Sequence, residues 1–405
     1  MCFFPSLISF FAHSCASVQQ NSTYKHLSRS YHSSPAMLQL LPRVVAIFLL
    51  LLMNGEVWAE KNMGRDVSVS TLYPFSKYDN ILRNLNRSGI DKKTGRPNKS
   101  YKPLTMLYFA DIHNDKGAMK RILEFDSIYH NHIDEMFVNG DIAQGRWSEY
   151  SMELDSMLHN HPVLCSIGNH DTYEYAGGKE RATSAQCYDR YFANIGNWGV
   201  TQPVGNNILK KCYYYKDYPI SKIRFIVLDV MHYDDAQRTW FQETLKDARE
   251  KGLSVVAAQH IVADYYMNEK SQLFDCSFTS IDYDENGEFT RGQLEDVDQF
   301  VLDGGEFVCW LFGHAHSDRC GFFACESIHS KQVFFITAAS TLDSVWQDCD
   351  RNWKNASFDL FNLMSFDVYS KTITIKRVGC EYDRFMRHKG ELCIDYKNCK
   401  VLWNS

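Results

Sequence analysis

Gly168-Asn169-His170-Asp171 sets an amide, an imidazole and a carboxylate side by side. The run follows Val163-Leu164-Cys165-Ser166-Ile167, a compact apolar stretch that reads as a buried strand. Open α/β sheets hold their ligands at such strand ends. Four further apolar runs end in the same kind of side chain. Asp111 and His113 follow Leu104 to Ala110, and Asp141 follows Met136 to Gly140. His260 follows Ser254 to Gln259, and His314 and His316 follow Phe307 to Gly313. Each has an innocent reading by itself, since Asn, Gly and Asp are ordinary loop residues and a single His at a sheet edge is commonly a satisfied polar group. Five strand ends in one chain make a constellation. Carboxylate, imidazole and amide are hard-to-borderline ligands. They suit two divalent or trivalent first-row ions, such as Mn, Fe or Zn, and not a thiolate site. A single carboxylate lying between two such ions can bridge them.

The elements that must carry these residues alternate. Leu104–Ala110 reads as a strand, Gly117 to about His130 as a helix and Met136–Asn139 as a second strand. Trp147–Leu158 reads as a helix and Val163–Ile167 as the third strand. This is the strand–helix rhythm of a layered α/β fold. Residues 173–221 read as an insertion rich in Gly and Tyr. Strand character returns at Ile223–Asp229. Asp234 or Asp235 then caps a helix whose Trp240, Phe241, Leu245 and Ala248 share a face, and Gly252 stops it. Strands follow at Ser254–Ala258, Phe307–Phe312 and Val333–Ala338, and a hairpin over Phe361–Val378 turns at Ser370-Lys371. A second insertion covers residues 264–303. Its Asp282-Asp284-Asn286-Gly287 stretch lacks the closing Glu of a calcium loop and reads as a polar turn.

The chain has 405 residues, 45% of them hydrophobic and 23% charged, with net charge -6. That is a globular composition without the basic field that a stable nucleic-acid complex needs. From Met37 a short basic start, the apolar run Val44–Met53 and the small residues Val57 and Ala59 form a secretory signal. The run is shorter than the ~20 residues that cross a bilayer, so no transmembrane segment is expected in the mature chain. The expected organisation has residues 1–36 as an upstream over-extension and 37–59 as the signal. A lead-in covers 60–100, the catalytic domain 101–378, and a C-terminal tail packed on it 379–405. Eleven of the 13 cysteines follow Met37, with Cys320 and Cys325, and Cys393 and Cys399, as close pairs that export would permit to join. Their spacing matches no zinc motif.

Taken together, Asp111-Ile112-His113, Gly140-Asp141, Gly168-Asn169-His170-Asp171, Gln259-His260 and Gly313-His314-Ala315-His316 resemble the calcineurin-like metallophosphoesterase superfamily. The likeness runs in the family's order over about residues 104–378. It implies an α/β fold, a two-sheet β-sandwich flanked by helices, with a dinuclear centre at the strand ends. By that resemblance Asp111, His113 and His316 hold one metal, Asn169, His260 and His314 hold the other, and Asp141 bridges. His170 faces the phosphate as proton donor or orienting group, with Asp171 as its partner. The implied reaction is in-line attack of metal-activated water on a small phosphomonoester or phosphodiester. The rival reading is an inactive secreted binding protein on the same scaffold, which the complete ligand set disfavours. Two departures narrow the subfamily. Gln144 stands where purple acid phosphatases carry a Tyr, and Thr172-Tyr173 follows Asp171 where protein phosphatases carry a fixed Arg pattern. An exported protein, secreted or periplasmic, should begin at Glu60. N-terminal sequencing tests this, and a retained Met37 segment would show an anchor instead.

Overall fold

The computed structural model describes residues 75–85, 100–113, 115–143, 163–172, 181–193, 198–205, 209–261, 271–273, 292–314, 319–325, 328–337, 360–379 and 391–404. Fourteen strands build two mixed sheets. The first contains β1 (Leu104–Phe109), β2 (Glu135–Asn139), β3 (Val163–Ser166), β11 (Leu360–Asp367), β12 (Thr372–Gly379), β13 (Glu391–Asp395) and β14 (Lys400–Asn404). The second contains β4 (Tyr214–Tyr218), β5 (Ile223–Val227), β6 (Ser254–Ala258), β7 (Ser271–Leu273), β8 (Phe307–Phe312), β9 (Arg319–Cys325) and β10 (Ile328–Ile336). Their spatial orders are β14-β13-β12-β11-β1-β2-β3 and β4-β5-β6-β8-β10-β9-β7. β1, β2 and β3 run parallel, as do β5, β6 and β8, so five ligand-bearing strands discharge their carboxyl ends into loops.

Strands covered on both faces read as unbroken apolar runs. β1, β2, β5 and β6 are buried at every position, and Phe137 of β2 meets Phe225 of β5 edge to face across the sandwich, centroids 4.9 Å apart. Helices α1 (Phe75–Leu85) and α2 (Lys116–Tyr129) pack through Tyr78 and Phe125, whose rings lie 5.4 Å apart. The short turn α3 (Asn169–Thr172) follows β3, and α4 (Ser184–Cys187) opens into a π-helical turn at Tyr188–Phe192. On the second sheet α5 (Asp235–Glu250) and α6 (Gln293–Leu302) bury Phe241, Leu245, Val297 and Phe300 against Trp310 and Phe312. Asp234 is the cap of α5, its carboxylate accepting the Gln237 N–H. Among the described residues no helix is long and apolar enough to cross a membrane.

Several expectations change. Tyr214–Tyr218 is the edge strand β4, paired antiparallel with β5, and not part of an insertion. Only Tyr214 of its five residues is fully buried, so it has no apolar run to announce it. The lead-in contains α1, whose Tyr78, Leu82 and Leu85 fall on one face at spacings of four and three. The second insertion ends in α6. The tail forms the β13–β14 hairpin, extending the first sheet beside β12. The hairpin of β11 and β12 turns where the sequence placed it. Cys393 and Cys399 are free buried thiols; Cys393 takes a 3.5 Å contact from the Thr374 hydroxyl and no partner sulfur. The Trp147–Leu158 helix and the Asp282–Gly287 turn lie outside the described residues.

Asn139, at the end of β2, stitches the sheets together beside the ligand-bearing loops. Its amide donates to the carbonyls of Gln259 and Leu311 at 3.1 and 3.0 Å, and its oxygen accepts the Ser166 hydroxyl at 2.6 Å. Asn139→Ala strands the Gln259 carbonyl and the Ser166 hydroxyl, each worth ~1–3 kcal/mol when left unpaired, while the Leu311 carbonyl keeps the Gln259 N–H at 3.1 Å. Denaturant unfolding should show a loss of about 2–4 kcal/mol; a loss under about 1 kcal/mol would mean that the stitch is not needed.

Candidate metal centre

The loops after β1, β2, β3, β6 and β8 converge at one edge of the sandwich. Backbone bonds join them first: Asp111 N–H donates to Gly140 O (3.1 Å) and His113 N–H to Asp141 O (2.9 Å). Gly313 N–H donates to His260 O (2.8 Å). The aspartate and histidine side chains reach the centre from backbone that L-residues rarely adopt. Asp111, His113, Asp141 and His314 have φ of +55°, +49°, +50° and +66°, four of the eight such non-glycine residues among those described. Strain of this kind persists only where surroundings enforce it, and it clusters at functional sites. Two glycines allow the close approach. A Cβ on Gly140 would collide with the His260 ring, and one on Gly168 with the Asp141 carboxylate.

Asp111, His113, Asp141 and His260 are buried completely. Asp141 Oδ2 lies 3.2 Å from His260 Nε2 and 3.8 Å from His113 Nε2, and Asp111 Oδ1 lies 3.9 and 4.0 Å from the same two nitrogens. His113, Asp141 and His170 each bring a ligand atom within 4.8 Å of one another, and so do Asp141, His260 and His314. Asp141 is common to both groups. Asn169 joins through its Oδ1, 2.9 Å from His314 Nδ1. The His314 N–H reaches both Asp111 oxygens at 3.1 Å. His260 donates from Nδ1 to Asn139 O at 2.6 Å, which fixes its tautomer and turns Nε2 inward.

These residues fit a metal. Asp141 Oδ2 and His260 Nε2 are buried, close and misaligned for a hydrogen bond with each other or with any other group. A buried acceptor and a buried imidazole nitrogen without hydrogen bonds are costly unless something between them satisfies both. A cation does so, and the donor set is the one expected for first-row ions.

Electrostatics agree. Burial alone would raise Asp141, but the His260, His170 and His113 imidazoles outweigh it and hold the carboxyl well below its usual range. Burial drives Asp111 well upward, reinforced by the Asp141 charge against the pull of His260. Burial works against a charged His260, yet the Asp141 and Asp111 charges push it up to about 9.

The structure therefore gathers Asp111, His113, Asp141, Asn169, His170, His260 and His314; His316 and Gln144 lie outside the described residues. His170 is partly open, unlike the fully buried His113, against whose ring it packs edge-on with centroids 4.7 Å apart. Asp171 has a different task from the one expected. Its oxygens accept the N–H groups of Ala143 (2.8 Å) and Gly168 (2.9 Å), so it clamps the β2 and β3 loops together rather than serving His170. Burial and the Asp141 charge raise it to about 7. Sequence reasoning missed Asn139 as a support, though its position before Gly140-Asp141 was a signal. Away from this site, His132 is three-quarters buried and pairs with Asp79 at 3.1 Å.

A cation entering this site must displace the His260 proton, so metal binding should release at least one proton at neutral pH. Apparent affinity should fall roughly tenfold per pH unit per displaced proton as pH drops below about 9. Calorimetry in two buffers of different ionisation heat measures this; zero proton release would contradict the charge balance described.

Comparison with known proteins places the architecture. The calcineurin-like phosphoesterase family model matches residues 104–318, more than half of the chain. No curated protein matches. A dimetal phosphatase from Danio rerio is similar at 12% identity and TM-score 0.46, over 72% of this chain and 99% of that one. A phosphopantetheinyl hydrolase from Mycobacterium tuberculosis is similar at 12% identity and TM-score 0.33, over 59% and 89%. Those likenesses are too distant to carry an argument, and the assignment rests on the family match: this chain belongs to the calcineurin-like phosphoesterases and is a metal-dependent phosphoester hydrolase.

Proposed function

We propose that the chain hydrolyses small phosphomonoesters or phosphodiesters with two metal ions bridged by Asp141. The observation that carries the reading is that Asp141 is common to both clusters of ligand-type atoms, with His113 and the proton-donor candidate His170 on one side and His260 and His314 on the other. Asp111, His113 and His316 would complete one ion's ligands, and Asn169, His260 and His314 the other's. When bound, the ions supply an activated water and neutralise charge on the phosphoryl oxygens. The chain's own residues do the rest. The wholly buried Asp111, His113, Asp141 and His260 keep bulk water from their side of the site and fix the positions of charge. His170, partly open and beside that charge, receives the leaving group and delivers its proton. The Asp141 Oδ1 holds His170 in place by accepting its backbone N–H at 2.8 Å. Export to the cell exterior or periplasm belongs to the same proposal, on the strength of the Val44–Ala59 signal.

The test separates ligand from proton donor. Asp141→Asn should lose both metals in elemental analysis. His170→Ala should keep both yet lose turnover by ~10²–10⁴-fold on esters of poor leaving groups, with a smaller loss on p-nitrophenyl esters. Loss of a metal from His170→Ala, or equal losses on all leaving groups, would contradict the proton-donor role.

A further inference from the structure

One partly buried histidine outside the metal centre is bound in a way that a neutral imidazole cannot satisfy. His232 follows β5. Its Nδ1 lies 2.8 Å from Asp229 Oδ2 and its Nε2 lies 2.8 Å from Ala182 O. Both partners are acceptors, a carboxylate and a carbonyl, whereas a neutral imidazole offers one N–H. The pair of bonds therefore requires the imidazolium. The anchor behind it is rigid. Asp229 accepts the His232 N–H at 3.2 Å through its other oxygen. The Asp229 backbone is held by Gln237, a wholly buried residue of α5, at 2.8 and 3.0 Å.

The far end of the bracket leads to the metal centre. Ala182 N–H donates to Thr172 O at 2.6 Å, and the Thr172 hydroxyl donates to Asn169 O at 2.8 Å. A continuous chain of hydrogen bonds thus runs from the end of β5, through His232 and Ala182, to the four-residue turn α3 that presents Asn169 and His170. Asp171 braces that turn from the side of β2. His232 braces it from the second sheet.

We infer that His232 is a positioning residue for phosphoester hydrolysis, a doubly donating imidazolium that fixes the turn carrying Asn169 and His170; the inference rests on the proposed reaction. The groups facing His232 support the charged form. Burial disfavours it, but Asp229 and the Ala182 carbonyl outweigh burial and raise the group above its ordinary value. Lys211 opposes it, and that charge is met by Asp234 at 3.0 Å. Cys187, Cys212 and Tyr213 border Asp229, and burial raises all three, so they stay neutral. The sign follows: the bracket is intact below the raised value and loses one donor as pH climbs through it.

The experiment compares wild type, His232→Gln and Asp229→Asn, each zinc-loaded, using bis-p-nitrophenyl phosphate across the neutral and alkaline range. Wild-type kcat should decline on an alkaline limb. His232→Gln, whose one amide nitrogen can stand in for only one of the two ring nitrogens, should lose about 10–100-fold in kcat with KM little changed and should lack that limb. Asp229→Asn should retain kcat near neutrality and also lack the limb. Its amide would donate to a neutral Nδ1, its oxygen would keep the His232 N–H, and Nε2–H would still reach Ala182. In parallel, ¹⁵N NMR of histidine-labelled protein should show both ring nitrogens of His232 protonated near neutral pH, assigned by their loss in His232→Gln. Wild-type kinetics in His232→Gln, an Asp229→Asn as impaired as His232→Gln, or a neutral His232 spectrum would each overturn the inference. Should His232→Gln not fold, the Asp229→Asn profile and the spectrum decide. A wild type that hydrolyses no phosphoester would refute the proposed function and leave the spectrum to judge the bracket.

Discussion

Two carboxylates, Asp111 and Asp141, are buried completely within 4 Å of the same two imidazole nitrogens. Charges of one sign cannot share so dry a place without a counter-charge among them. Within the protein alone His260 provides it, held protonated by its neighbours. A dication provides more of it, and reverses the logic by demanding a neutral imidazole. Much of the local architecture serves this constraint. The four positive-φ residues are the means by which strand ends turn their side chains inward instead of letting them run out to water. Gly140 and Gly168 leave the room that the His260 ring and the Asp141 carboxylate occupy. The folded chain holds this conformational cost because β1, β2, β6 and β8 are locked in two seven-stranded sheets.

Around that knot the supports are backbone-directed. Asn139 couples the sheets, the Asn139 carbonyl orients His260, Asp171 clamps two loops, and His232 bonds Ala182, whose N–H in turn meets Thr172 of α3. Each links segments far apart in sequence, so each contributes to placing ligands that no single element could position. Of the histidines gathered here, His170 and His314 are the partly open ones. In the proposed reaction this gives the polarity that phosphoryl transfer needs, with fixed charge behind and an imidazole proton donor in front.

The candidate ligand residues were legible because both signals were local. An apolar run marked each buried strand, and the polar residues following it marked the edge. The same logic located β5, β8 and the β11–β12 hairpin. What escaped lacked a local signature. β4 is an edge strand with four half-exposed residues, so it carries no apolar run. α1 is amphipathic within a polar segment, and its apolar face shows only at helical spacing. The role of Asp171 could not be read from its neighbour His170, because its partners are the backbone amides of Ala143 and Gly168 and backbone groups look alike in any sequence. His232 was silent for the same reason. Asp229 is three residues away, but the Ala182 carbonyl that completes the bracket is fifty residues away and becomes a neighbour only in the fold.

The central claim is that Asp141 stands between two ions. Anomalous diffraction from crystals of the manganese-loaded protein addresses it directly. The account requires two peaks ~3.5–4 Å apart with one Asp141 oxygen, or one from each side of its carboxylate, on both ions. A single peak, or two peaks of which only one touches Asp141, would contradict it.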